Sequence, residues 1–131
     1  MKAEIFENDR ATGYDDFVEL WIPAYEFFIK MLPAIIQTGL QSYPSEGPKI
    51  LVAGCGTGNE IKAIIQSGIS GEITGVDPSP EMIEIASDKL GQIENVQLIN
   101  GLVQELPQKM EFHIVTLLLV VHFLEDDCNK L

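Results

Sequence analysis

The chain has 131 residues, 46% of them hydrophobic, with 20 acidic side chains against 8 basic ones and a formal net charge of −12. That length allows one domain with its own core, and the acidic balance repels phosphate backbones, which argues against nucleic acid as a partner. Two cysteines, Cys55 and Cys128, are too few for a disulfide framework, residues 1–10 lack an apolar signal core, and the longest apolar run, residues 117–121, is too short to cross a membrane; the expectation is a reduced, cytoplasmic protein with no membrane partner.

Residues 1–13 are polar. Between 15 and 40 the apolar positions Phe17, Leu20, Trp21, Ala24, Phe27, Phe28, Met31, Leu32, Ile35 and Ile36 recur at helical spacing with one wet face. Pro23 suits the first turn of a helix, which predicts a short helix to about Trp21 and a longer one after it, kinked at Pro33. The same spacing places most of Trp21, Tyr25, Phe27 and Phe28 in the core, with Tyr14 and Tyr25 the better candidates for a substrate pocket. Residues 41–49, rich in proline, serine and glycine, read as a loop.

The pattern then changes. Residues 50–53 form a short continuous apolar run, as in a strand buried on both faces, followed by the glycine loop Gly54-Cys55-Gly56-Thr57-Gly58. Ile61, Ala63, Ile64 and Ile65 mark a helix that Ser67-Gly68 ends. Residues 72–76 are a second strand, closed by Asp77. Ser79-Pro80-Glu81 opens a helix to about Leu90, with Ser79 as cap, Pro80 in the first position and Glu81 at the positive end of the dipole. Residues 96–99 and 113–119 are the third and fourth strands, and Phe123 with Glu125-Asp126-Asp127 begins another helix. Alternating strands and helices imply right-handed crossovers and a parallel sheet, with ligands bound at the carboxyl ends of the strands.

Glycines at alternate positions after a buried strand let the backbone turn tightly and leave it open to a ligand. Asp77, at the end of the next strand, can accept hydrogen bonds from both hydroxyls of a ribose. The glycines alone need be no more than a turn; combined with Asp77 they read as a nucleoside-cofactor site. The spacing G-x-G-x-G departs from the dinucleotide fingerprint G-x-G-x-x-G, and no P-loop Lys-Ser or Lys-Thr follows Gly58. Glu60, beside the helix start, is poor company for phosphates, so a cofactor without phosphates fits better. Cys55 has no histidine near it in sequence and reads as a small loop residue rather than a nucleophile. His113 and His122 lack ligand spacing, and Glu125-Asp126-Asp127 reads as an acidic helix start, so no metal site is expected.

Residues 50–59 resemble motif I of class I S-adenosylmethionine-dependent methyltransferases. Gly75-Val76-Asp77-Pro78-Ser79-Pro80-Glu81-Met82-Ile83 is similar to their second motif, whose acid holds the ribose, and residues 100–107 resemble the third, which borders the adenine. Residues 112–126 resemble the fourth strand and the loop that faces the methionine part of the cofactor, and Tyr14-Asp15 with Ile22-Pro23-Ala24-Tyr25 resembles an N-terminal cap. The resemblance implies an α/β, three-layer Rossmann-like fold with a partial parallel sheet of about four strands in the order 3-2-1-4. It divides the chain into a helical cap, 1–46, and a cofactor-binding core, 47–131. It implies binding of S-adenosylmethionine, with S-adenosylhomocysteine as product, through Gly54, Cys55, Gly56, Gly58, Asp77, Pro78, Met82, Leu102, Val103 and Leu118. Tyr14, Tyr25 and His122 would face a small-molecule substrate, and no catalytic residue is singled out.

The sequence departs from the family pattern in three ways. Val52 stands where an acid is frequent, and Leu102 where an aspartate is usual. The family's last three strands do not follow the fourth, which would leave an apolar edge; that edge either pairs in a homo-oligomer or continues in a longer protein, and the second is the stronger expectation. The rival functions are a nicotinamide- or flavin-nucleotide-binding Rossmann domain and a non-catalytic S-adenosylmethionine-binding fragment.

Overall fold

The computed structural model describes residues 9–43 and 47–118. Its centre is strand β1 (Lys49–Ala53), whose Ile50, Leu51, Val52 and Ala53 are all buried. A strand with apolar side chains on both faces can only sit inside a sheet, and β1 does. It pairs in parallel with β2 (Glu72–Asp77) on one side and β4 (Ile114–Thr116) on the other, and β3 (Val96–Asn100) adds in parallel outside β2. The order is 3-2-1-4, as expected. The steps from β1 to β2 and from β2 to β3 run the same way, so right-handed crossovers put α4 (Asn59–Gln66) and α5 (Pro80–Leu90) on the same face of the sheet.

That face carries the main core. Ile50 and Val52 of β1 and Ile73 of β2 pack with Ile61 and Ile64 of α4 and with Ile36 of α3 (Tyr25–Leu40), while Ile83 and Leu90 of α5 close over them. Gly75 of β2 is what lets α4 come this close: a Cβ there would stand 2.6 Å from Ile61 Cδ1 and 3.0 Å from Cys55 Sγ. Alternation along the strands turns Leu51, Ala53 and Val76 to the opposite face, where they too are buried.

Ahead of the sheet come α1 (Asp9–Thr12) and α2 (Tyr14–Trp21). Two expectations about this part are corrected. Pro23 is not in the first turn of α3; it sits with Ala24 in the turn before it, closed by the Tyr25 N–H donating to the Ile22 carbonyl at 3.1 Å. Proline suits the first corner of such a turn, and the second corner takes the left-handed backbone, here Ala24 at φ 63°. The aromatic residues are also mostly outside. Trp21 is 70% exposed, Phe27 59% and Phe28 51%, while Tyr25 is buried. Helix α3 turns Tyr25, Leu32, Pro33 and Ile36 inward, at helical spacing. Apolar residues run round more than one side of it, so spacing alone cannot say which stripe meets the sheet. The helix passes through Pro33 as a single segment. Of the expected fourth strand, 113–119, residues 114–116 pair with β1 among the described residues, and residue 119 lies outside them.

Candidate cofactor site

The site is built where β1 ends. Gly54, Gly56 and Gly58 all have positive φ, 66°, 51° and 86°. Gly58 shows the constraint most directly: it starts α4 in the left-handed region, and a Cβ on it would lie 3.2 Å from Ala86 Cβ and 3.3 Å from Leu90 Cδ1. The loop is stitched to β2. The N–H groups of Gly54 and Cys55 both donate to the Val76 carbonyl, at 2.8 and 3.0 Å. The Gly56 N–H donates to Asp77 Oδ2 at 2.9 Å.

Asp77 is 9% exposed, and its Oδ1 accepts from the Ser79 N–H at 2.9 Å. Burial raises its carboxyl above the ordinary value, and the amide hydrogen bonds from Ser79 and Gly56 oppose that rise. Each oxygen carries a further lone pair, so the carboxylate can still accept two hydroxyl protons. Ser79 Oγ accepts from the Met82 N–H at 3.2 Å and caps α5, as expected. The carbonyl of Asp77 receives the Gly101 N–H at 3.0 Å and the Asn100 side chain at 3.1 Å, which brings the end of β3 alongside.

On the other side of β1 a small cavity opens between the glycine loop and the N-terminal helices. Tyr14, Tyr25, Gly54, Cys55, Gly56, Glu60 and Leu118 face it. Glu60, at the first turn of α4, is only 6% exposed, and its Oε2 accepts from Thr116 Oγ1 of β4 at 2.9 Å. Burial pushes its carboxyl up to about 7, against the opposing Thr116 hydrogen bond. Burial pushes the Tyr14 hydroxyl up to about 12, helped by Tyr25 and by the carboxylates of Asp15, Asp77 and Glu60, and raises Tyr25 as well. The Cys55 thiol is pushed up by burial and then by Asp77 and Glu60, so it is an un-ionised, unreactive thiol.

A polar lock holds the N-terminal helices on the loop. Asp15 of α2 accepts from Thr57 Oγ1 and from Asn59 Nδ2 (2.9 Å), and pairs with Lys89 of α5 at 2.6 Å. Lys89 also donates to Asn59 Oδ1 (2.6 Å) and Thr57 Oγ1 (3.0 Å), and Asn59 donates to the Tyr25 hydroxyl at 3.2 Å. Burial alone would raise the Asp15 carboxyl, but hydrogen bonds from Lys89, Thr57 and Asn59, with the Lys89 charge, outweigh it and hold the carboxyl below its ordinary value. The pair is half-open to solvent, so its worth is modest. Lys89→Ala is expected to cost about 1 kcal/mol in urea denaturation and to speed hydrogen exchange in α2 while leaving that of β1 and β2 unchanged. Uniform exchange throughout would show that the lock is ornamental.

Among known proteins, the sequence pattern of a family described as the methyltransferase domain matches residues 50–131, from the start of β1 through the loop and Asp77 onward. The chain belongs to the methyltransferase domain family. This methyltransferase domain is 39% identical over 74 residues to the demethylmenaquinone methyltransferase of Staphylococcus aureus (strain JH9), a match that takes in 55% of the chain and 31% of the relative. Among solved structures it is similar to the plantazolicin methyltransferase BpumL in complex with a monoazolic desmethylPZN analog and SAH. That likeness has a TM-score of 0.69 and 16% identity, over 92% of this chain and 46% of the other. It is also similar to a putative S-adenosyl-L-methionine-dependent methyltransferase from Methanococcus maripaludis, at TM-score 0.65 and 21% identity, over 96% of this chain and 56% of the other. The chain thus spans about a third of the length of the curated relatives it matches.

Within this methyltransferase domain the described predicted residues fall into three groups. Gly54, Cys55, Gly56, Leu118, Tyr14 and Tyr25 meet around the cavity. Asp77, Pro78, Leu102 and Val103 line up at the ends of β2 and β3; the Leu102 N–H is held by Glu105 Oε2 at 2.9 Å, and the Val103 side chain is 39% exposed. Gly58 and Met82 lie beneath, Gly58 buried against α5 and Met82 2% exposed, where they shape the loop and the helix start from below. His122 lies outside the described residues. Sequence reasoning missed the lock of Asp15, Thr57, Asn59 and Lys89, whose members are up to 74 residues apart and carry no shared motif. It noticed Glu60 only as a group that disfavours phosphates, and nothing local signalled its bond to Thr116.

Proposed function

We propose that this methyltransferase domain binds S-adenosylmethionine and transfers its methyl group to a small-molecule acceptor in the cytoplasm, leaving S-adenosylhomocysteine. The observation that carries the reading is the pairing of an open glycine loop with a buried Asp77 that the loop's own Gly56 N–H holds in place. Among the described residues beyond its chain neighbours, no atom lies within 4 Å of a Cβ placed on Gly56, so a ligand has room there. Asp77 suits the ribose hydroxyls, Pro78, Leu102 and Val103 the adenine, and the cavity beside Leu118 the amino-acid end. Residues 47–131 serve as the cofactor-binding core and residues 1–46 as its cap, with Tyr14 and Tyr25 over the methyl-transfer side and His122 as a further substrate residue.

When bound, the cofactor supplies an electrophilic methyl carbon on a sulfonium. What the chain's own residues contribute is orientation: Asp77 anchors one end, the loop exposes main-chain groups, and the tyrosines cover the cavity. Tyr14, Tyr25 and Cys55 all hold their protons near neutral pH, so they act as hydrogen-bond donors and walls rather than as bases or nucleophiles. Placing an acceptor in line with the methyl group is enough to supply much of the rate. The small-molecule class of the acceptor is supported by the demethylmenaquinone methyltransferase among the relatives. Among the described residues no helix is long and apolar enough to cross a membrane and no metal-binding cluster occurs; the acidic charge supports a partner other than nucleic acid.

Isothermal calorimetry tests the cofactor. Binding of S-adenosylhomocysteine in the micromolar range, without binding of NADH or flavin nucleotides, is the expected result. The reverse order of ligands would replace this reading with a dinucleotide site.

A further inference from the structure

Glu60 is a buried carboxyl for which the described residues supply no partner of opposite sign. It is 94% withdrawn from solvent, being 6% exposed. Among the described residues its one hydrogen bond is from neutral Thr116, and no ion pair involves it. The groups packed around it are Tyr14 from α2, Tyr25 from α3, Cys55 from the loop and Thr116 from β4, none of them cationic. Desolvation disfavours a carboxylate there, an effect softened by its place in the first turn of α4. A glutamine would bond Thr116 as well and avoid the cost, so helix-to-strand bridging does not account for the acid.

Position and surroundings suggest what does. Position 52 on β1, two residues before Gly54, is the fully buried Val52, sealed in the core. Glu60 faces the cavity that it shares with Gly54, Cys55 and Gly56. It stands on the β4 side of the end of β1, whereas Asp77 stands on the β2 side. Two buried carboxylates therefore flank the glycine loop, one suited to a diol and the other facing a small cavity with no cationic side chain among its described lining residues.

Resting on the function proposed above, we infer that Glu60 is the counter-charge for the positive charge at the amino-acid end of the cofactor, its α-ammonium or the adjoining sulfonium. A ligand with a ribose at one end and a positive charge at the other is then bracketed by Asp77 and Glu60 across β1. Because burial holds the Glu60 proton up to about 7, ligand binding at neutral pH releases that proton to solvent.

The test is calorimetry of the full chain with three ligands: S-adenosylmethionine, S-adenosylhomocysteine and 5′-methylthioadenosine. They carry a sulfonium with an ammonium, an ammonium alone, and neither. Glu60→Gln is expected to weaken the first two at least about tenfold and to leave the third within about twofold. Loss confined to S-adenosylmethionine would assign the contact to the sulfonium; loss shared with S-adenosylhomocysteine assigns it to the ammonium. Equal loss for all three, or no loss, overturns the inference while the wild type still binds. A wild type that binds none of them overturns the functional reading itself. Should the variant not fold, the wild type decides: S-adenosylhomocysteine titrated at pH 7 in two buffers of different ionisation enthalpy should show proton release, and no release overturns the role.

Discussion

Replacing Asp77 by alanine is expected to weaken S-adenosylhomocysteine binding about 100-fold and to cost the free protein about 2 kcal/mol. The two effects have separate causes. Stability falls because the carboxylate satisfies the N–H of Gly56 and the N–H of Ser79, and Ser79 is 1% exposed, so its amide has no water to turn to. Affinity is expected to fall because, on the proposed function, two charge-assisted bonds to ribose hydroxyls go with the side chain. Asp77→Asn separates shape from charge: its amide must turn an NH2 toward one of two backbone donors, so it too loses stability despite equal size. Urea denaturation reads the first effect and calorimetry the second. A ligand analogue lacking the ribose hydroxyls should lose affinity against the wild type but nothing more against Asp77→Ala. Additive losses would show that Asp77 shapes the loop without touching the ribose.

Raising the pH from about 4.5 to 7 is expected to destabilise the ligand-free protein by about 3 kcal/mol through Glu60 alone. In the unfolded chain this carboxyl titrates at its ordinary value of 4.5, whereas in the fold burial raises it to about 7. Between those values the folded protein holds a proton that the unfolded protein has released. The stabilising contribution is complete below the unfolded value and lost as pH rises through the folded one. Asp77, also raised by burial, acts in the same direction. Asp15 is lowered, so its contribution is present above its unfolded value of 3.8 and lost only in more acidic solution, outside this window. Urea midpoints at pH 5 and pH 8 measure the slope, and Glu60→Gln should flatten most of it. A midpoint that rises with pH in the wild type would show that Glu60 is ionised at little cost.

Several parts of the fold and site were legible because they answer local demands. The run 50–53 is apolar without alternation, which only a strand covered on both faces tolerates, and β1 is that strand. Ser79, Pro80 and Glu81 each suit one position of a helix start, and α5 begins there. The loop glycines follow from a backbone at positive φ. The N-terminal helices were read less well. Their helical period was clear, but with apolar residues on two sides of α3 the period could not choose between Phe27 and Tyr25 as the buried aromatic.

By itself the sequence determined the alternation of strands and helices, hence the parallel sheet, because crossover handedness leaves few alternatives, while the order 3-2-1-4 was implied by the resemblance of its motifs to the family. It also determined the loop and Asp77, because each is a short-range requirement of backbone geometry or strand ending. Only the tertiary structure decided that Asp15 meets Lys89 across 74 residues and that Glu60 turns inward to Thr116. Those contacts depend on how α2, α3 and α4 dock on the sheet. Docking is set by the summed packing of many side chains, whereas periodicity specifies only which faces are apolar, not which residues they will meet.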